Sequence, residues 1–381
     1  MRFLVPALVF FACSTPAPKA PEPLAPAPKP DLIIGEVVAL TGPEATFGFS
    51  ARDGIELAVR EANAKGGIQG RKIVVKVQDS RGRPEEATAA LTRVLDRDKP
   101  VAVIGDIAST NTLAIAPIAQ KRQVPLLTPA STAAAVTKAG DYVFRACFSD
   151  AFQGRVMAIF AADELKQRKA AILHDGSSDY SIGLASEFKR SLVEFGGEVV
   201  ADEVFMRGDV HFKAQLTKIR EKKPEVLFVP GTYAEVGLIL RQARELGLNA
   251  TLLGGDGWDS PRLVEVAGAA ADGSHFSTHF ASDADAPLVK HFVQEFTSTF
   301  GYDPDGFAAM GYESGRLLID ALGRASTLDP AGVQKALSET KKVEGLSGEI
   351  VMGADREPQK PAFIMKVAQG KFKYETRIWP R

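Results

Sequence analysis

The side chains able to do chemistry in this 381-residue chain collect in a few short loops, at 106–112 (DIASTNT), 128–134 (TPASTAA), 174–183 (HDGSSDYSIG), 230–237 (PGTYAEVG) and 254–260 (GGDGWDS). All are rich in hydroxyls and small residues. Ser109-Thr110-Asn111 and Ser131-Thr132 read as N-cap side chains at helix starts, where unpaired backbone N–H groups suit an anion such as a carboxylate. Capping alone would explain each hydroxyl. Two such ends in one lobe, with the acid Asp256 on a Gly-rich loop of another, point instead to a binding site.

Other constellations carry less. His275 and His279 are four apart and His291 follows, but SHFSTHF reads as a strand, and paired cysteines or an HExxH pattern are lacking, so no metal site is expected. His174-Asp175 ends a strand without a nucleophile, and Asp79 and Arg81 read as a solvated turn. Gly66-Gly67-Ile68-Gln69-Gly70 reads as a helix stop. Walker, GxSxG and GxGxxG spacings are missing. Neither an enzyme nor a cofactor is expected.

The loops need elements to position them. LIIGEVVAL (32–40), KIVVKV (72–77), VAVIG (101–105) and PLLTP (125–129) are apolar strand runs, separated by helical periodicities such as Ala87, Ala90, Leu91, Val94 and Leu95. A second series alternates helix 153–165, strand 170–175, helix 182–195, strand 198–205, helix 212–221, strand 226–231, helix 234–246 and strand 251–255. Such βα repetition gives parallel sheets covered on both faces, with ligands beyond the carboxyl ends of the strands. Long helices at 286–300, 307–326 and 330–339, then strands near 349–352, 362–367 and 371–378, complete the chain.

Composition sets outer limits. Lys+Arg number 46 against 47 Asp+Glu, so the net charge is −1, and no basic stripe marks a nucleic-acid partner. Arg2, the apolar run Phe3–Ala12 and Cys13 have the order of an export signal, shorter than the roughly 20 residues that span a bilayer. Phe10-Phe11-Ala12-Cys13 resembles a lipobox, with Phe10 where Leu is usual. The expectation is a signal peptide over 1–12, a lipidated Cys13, and a Pro/Ala-rich tether over 13–31, where seven of the 23 prolines stand. Cys147 is then left without a partner and reads as a buried apolar residue.

ALTGPEATFG (39–48), ANAKGGIQGRKI (62–73), VIGDIASTNT (103–112), PLLTPAST (125–132), HDGSSDYSIGLA (174–185), GTYAEVGLILRQARELGL (231–248) and LGGDG (253–257) form an ordered set. Over nearly all of 32–381 the chain resembles the periplasmic branched-chain amino-acid-binding proteins, the solute receptors of ABC importers. The resemblance implies an α/β fold of the type I periplasmic binding class. Two Rossmann-like, doubly wound lobes are joined by a three-strand hinge, with the ligand cleft between them. One lobe takes 32–149 plus 280–345, the other 150–279 plus 346–381.

The resemblance also implies roles. Ser109, through its hydroxyl and N–H, and Thr132 would hold a ligand carboxylate, with the backbone of Ala130 and Ser131 nearby. Asp256 would take the α-ammonium, and Tyr180 and Tyr233 would supply aromatic walls or hydroxyls. Phe47, Ile107, Ala108 and Phe307 would surround the side chain. The family's best-known members carry Tyr or Trp at Phe47, Glu at Asp256 and a disulfide-forming Cys at Ala108. The shorter Asp256 leaves room for Trp258 to reach in, or for a bridging water. The expected protein is a monomeric receptor outside the cytoplasm, on a lipid anchor, closing over a small amino acid and handing it to an ABC permease. The alternative is a sensing receptor of the same fold for an amide, an aromatic acid or another small solute.

Overall fold

The computed structural model describes residues 29–379, together with 1, 3 and 4; the export signal, Cys13 and most of the tether lie outside the described residues. The first lobe runs β1 (Leu32–Val38), α1 (Ala45–Ala64), β2 (Ile73–Asp79), α2 (Pro84–Arg97), β3 (Ala102–Gly105), α3 (Ser109–Arg122), β4 (Leu126–Thr128) and β5 (Val143–Arg145). Its five strands are parallel in the order β2-β1-β3-β4-β5. Chain reversal at β1 leaves the loops after β1 and β3 side by side at the carboxyl edge, where the site is expected.

The second lobe runs α4 (Asp150–Ile159), β6 (Lys169–Asp175), α5 (Asp179–Glu194), β7 (Glu198–Phe205), α6 (Lys213–Glu221), β8 (Val226–Phe228), α7 (Tyr233–Glu245), β9 (Thr251–Gly254), α8 (Pro261–Ala267) and β10 (His275–Thr278). The chain then returns through α9 (Pro287–Phe300), α10 (Gly306–Arg324) and α11 (Pro330–Ser338), which pack on the first lobe: Leu317, Leu318, Ala321, Val333 and Leu337 share a core with Ile34, Ile55 and Ile104. Helices α1 and α10 meet with almost no space between backbones. A Cβ added at Gly54 would stand 2.0 Å from the Ala308 carbonyl oxygen, and one at Gly311 2.0 Å from that of Ala51.

The last strands divide. β11 (Lys342–Gly345), β12 (Gly348–Met352) and β13 (Pro358–Gln359) form a separate three-stranded antiparallel sheet. β14 (Ala362–Ala368) pairs antiparallel with β10, and β15 (Lys371–Ile378) with β14, giving the seven-stranded order β15-β14-β10-β9-β8-β6-β7. This corrects the assignment of the whole 346–381 segment to the second lobe. Residues 348–359 stay with the small sheet, where Leu346 packs among Leu57, Phe292 and Tyr312. The chain passes between the lobes three times, after β5, after β10 and before β14, and these three crossings are the hinge.

One buried group in the first sheet conflicts with its surroundings. Ile34 and Val38 face α1, and by the two-residue strand period Glu36 faces the same way, only 2% exposed and with Oε1 unpartnered. Burial pushes its carboxyl up to about 8, against the pull of Arg52. A folded-state value above the unfolded one stabilises the fold below pH 4.5 and loses that contribution as pH rises through 8. Glu36→Gln should therefore flatten the decline in stability between those values, read from denaturant melts across the range.

Candidate ligand-binding cleft

The cavity between the lobes is lined by the loops after β1, β3 and β4, by α10, and by second-lobe residues Ser178, Tyr180, Arg207, Thr232, Asp256 and Gly257. Phe47, Ile107, Ala108, Ser109, Ala130, Tyr180, Asp256 and Phe307, eight of the expected residues, line it. Its two sides touch. Tyr233 Oη donates to the Pro43 carbonyl oxygen at 2.6 Å, Asp179 N–H to Thr110 Oγ1 at 3.2 Å, and Arg207 pairs with Glu44 at 3.1 Å. The cleft is closed.

The first-lobe wall starts from Asp106, buried between β3 and α3. Its carboxylate accepts from Ala108 N–H at 3.1 Å and Asn111 Nδ2 at 3.3 Å. Its carbonyl oxygen accepts from the hydroxyls of Thr128, Thr112 and Ser131, at 2.6, 3.0 and 3.1 Å. Burial pushes the Asp106 carboxyl up, and the hydrogen bonds from the Ala108 backbone and Asn111 oppose it. The N-cap of α3 is Ala108, with no side-chain cap, and Ser109, Thr110 and Asn111 are its first helical residues. The expected capping role thus fails at this end, and the first N–H groups of α3 remain available to an anion.

The second expected helix start is absent, because 129–134 runs without helix up to a short turn at Thr137–Ala139. Ser131 braces the loop through Thr112, and Ser109 Oγ accepts from Ala133 N–H at 3.1 Å. Fully buried Arg145 holds the carbonyls of Thr132 and Ala133 at 2.8 and 2.7 Å. Thr132 is buried beside Asp150, whose carboxyl burial pushes well up. Ser131 and Thr132 stand behind the cavity lining.

On the opposite side Asp256 is 3% exposed, at the head of a tight turn after β9. Gln153 Nε2 donates to its Oδ1 at 2.9 Å, and His279 Nε2 lies 3.1 Å from Oδ2. Burial pulls the His279 pKa down, so the neutral ring serves as an N–H donor; it stacks on Phe148 with centroids 3.7 Å apart. Tyr180 Oη accepts from Gly257 N–H at 3.1 Å, and burial, then nearby Asp256, hold its phenol protonated. The result is a largely apolar chamber with hydrogen-bond donors at the N-terminus of α3, the Asp256 carboxylate opposite, and the Glu44–Arg207 pair in its lining.

Two expectations change. Trp258 does not reach into the cleft: it is fully buried, donates Nε1–H to the Val229 carbonyl oxygen at 2.9 Å and covers Gly254. Asp256 and Trp258 sit two residues apart on one 3-10 turn, so Asp256 lines the cavity while Trp258 packs into the core. Tyr233 packs edge-on against Phe47, which stacks on Phe307 with centroids 3.9 Å apart, so its hydroxyl bonds the first lobe. Asp79 is more than a solvated turn residue, since its Oδ1 accepts from the N–H groups of Leu40 and Arg81 at 2.9 and 2.8 Å and shapes the loop before α1.

The other notable groups have separate partners. His275 lies 3.1 Å from Glu375 and His291 3.1 Å from Glu61. Cys147 is buried with its Sγ 3.4 Å from the Ser131 carbonyl oxygen, and burial pushes the thiol up to about 12. Sequence reasoning missed Glu44, Arg207, Gln153 and the role of His279. Each acquires its role from a partner at least 23 residues away in the chain.

Comparison with known proteins agrees with this fold. The chain is 32% identical over 345 residues to Leu/Ile/Val-binding protein homolog 3 of Brucella melitensis, covering 90% of this chain and 92% of that one. Leucine binding protein LivK of Thermotoga maritima superposes with a TM-score of 0.87 at 35% identity, covering 92% of this chain and 99% of that one. The branched-chain amino acid transporter substrate binding protein LivJ of Streptococcus pneumoniae, in complex with isoleucine, gives 0.86 at 33%, covering 92% and 100%. Residues 32–371 match the periplasmic binding protein family along their length, and the chain belongs to that family.

Proposed function

We propose that this chain is the receptor of an ABC importer and binds a branched-chain amino acid by closure of its cleft. The observation that carries the reading is the pairing of two unlike walls in one closed, largely apolar cavity. The N-terminus of α3 and the Ser109 hydroxyl suit a carboxylate, and buried Asp256, held by Gln153 and His279, suits an α-ammonium. A zwitterion leaves water only when both charges are met. Phe47, Ile107, Ala130 and Phe307 then surround an aliphatic side chain. The isoleucine in the similar LivJ structure supports the same ligand class.

The reading includes a division of labour. Residues 32–149 with 280–345 carry the carboxylate wall, and 150–279 with 362–378 carry the ammonium wall. Cys13 provides a lipid anchor and the following segment a tether, the protein works as a monomer outside the cytoplasm, and it performs no chemistry on its ligand. A thermal-shift screen of ligand-stripped protein against amino acids, amides and aromatic acids tests the ligand. Leucine, isoleucine or valine at 100 times Kd should add about 2.7 kcal/mol to stability. A shift with an aromatic acid alone would overturn the substrate and leave the fold.

A further inference from the structure

Glu44 is the N-cap residue of α1, yet its side chain makes no capping bond. It is buried at 4% exposure, lines the cavity, and sends Oε1 across the cleft to Arg207 Nη2 at 3.1 Å, while Oε2 is buried without a partner. Arg207 belongs to the second lobe, in the loop after β7, and its Nε also lies 3.8 Å from Asp175. That loop is pinned: Asp209 accepts from Met206 N–H at 2.9 Å, and Glu235 of α7 accepts from Gly208 N–H at 3.0 Å. The guanidinium is therefore presented from a fixed base, and its partner is reached only when the lobes meet.

We propose that closure over the ligand buries Glu44 and brings Arg207 across the cleft to neutralise it, so that ligand retention depends on this pair. The inference rests on the closure reading above but not on any contact to the ligand. A buried carboxylate without its counter-charge is strongly unfavourable, whereas a neutral group of the same shape in its place costs little. Arg207 thus matters because Glu44 is there, and removing Glu44 first should make Arg207 dispensable.

The charges around Glu44 favour a pH dependence of definite sign. Burial pushes its carboxyl up to about 7, Arg207 pulls it down, and Asp106 of the first lobe and Glu235 of the second push it further up. Asp175 shares the same guanidinium, and neighbouring Arg81 is engaged by Glu86 at 3.6 Å. Opening the cleft returns Glu44 to water and the ordinary carboxylate range. The closed form holds the proton more tightly, so affinity should decline as pH rises through 7.

The test is a double-mutant cycle on ligand release, followed by stopped flow with leucine and with valine. Arg207→Met should release ligand about tenfold faster or more. Glu44→Gln should release it at the wild-type rate or slower, and the double variant should behave like Glu44→Gln. Arg207→Lys, which keeps the charge, should recover part of the loss. The decline of affinity with pH should vanish in Glu44→Gln. An Arg207→Met penalty that persists in the Glu44→Gln background, no penalty at all, or an undiminished pH slope in Glu44→Gln would overturn the proposal. A cycle that differs between leucine and valine would place the pair against the ligand side chain and overturn it too. Wild-type binding of either ligand reports on the substrate reading, and the ratios among variants report on this pair.

Discussion

Asp256→Ala should abolish measurable binding of a zwitterionic amino acid while the protein stays folded. The carboxylate is buried, and both its oxygens are engaged, Oδ1 by Gln153 and Oδ2 by His279. Those bonds hold it in one orientation, so a ligand ammonium meets a preformed partner and little reorganisation is needed. Removing one member of a buried charge pair typically costs about 3–5 kcal/mol, because the other charge stays desolvated. That corresponds to a loss of affinity of more than about a hundredfold. Asp256→Asn should lose nearly as much, since the amide keeps the shape and discards the charge. Titration calorimetry of both variants checks this; binding at wild-type affinity would place the ammonium elsewhere in the cavity.

Lys360→Met should cause the largest loss of fold stability of any single change considered. Lys360 stands just before β14, on the third passage between the lobes, and is fully buried. Its Nζ lies 2.5 Å from Glu313 Oε2 on α10 and 3.5 Å from Met310 Sδ. Glu313 Oε1 in turn accepts from the N–H of Leu346 at 2.6 Å, within the small sheet. One ion pair therefore ties the hinge, α10 and the turn between β11 and β12. Without Lys360 the Glu313 carboxylate is buried and uncompensated, a cost of about 3–5 kcal/mol. Glu313→Gln in the same chain restores neutrality, and a Gln Oε1 still accepts from Leu346, so the double variant should recover most of the loss. Denaturant melts of the single and double variants decide it; equal stabilities would mean that the pair does not hold this hinge.

The lobes were legible in the sequence because their elements are periodic. EVVADEVF at 198–205 is a strand over that full length, and the apolar stripes of α9, α10 and α11 mark helices within a residue or two. Strands β5 and β13 went unread, being three and two residues long, too short for an alternation to show. β11 is amphipathic but mostly exposed, and only its pairing with β12 makes it a strand.

The cleft was legible in part for a different reason. Ser109, Asp256, Phe47 and Phe307 sit in loops or helix starts whose residues resemble a known family, and a carboxylate on a Gly-rich loop has few other uses. Trp258 was misread because nearness to Asp256 in sequence does not fix direction, and the 3-10 turn over 256–258 sends the two side chains to different surroundings. Glu44 and Arg207 are unremarkable charges until the lobes close, and nothing near either one in the chain signals the other. His279 looked like a fragment of a metal motif, yet its ring is spent on Asp256.

The central claim is that a small amino acid closes this cleft, and small-angle X-ray scattering of ligand-stripped protein with and without leucine tests it most directly. The radius of gyration should fall on adding leucine, saturating at the concentration where binding saturates, and should not change in Asp256→Ala. An unchanged radius in the wild type, with leucine in excess and the protein folded, would contradict it.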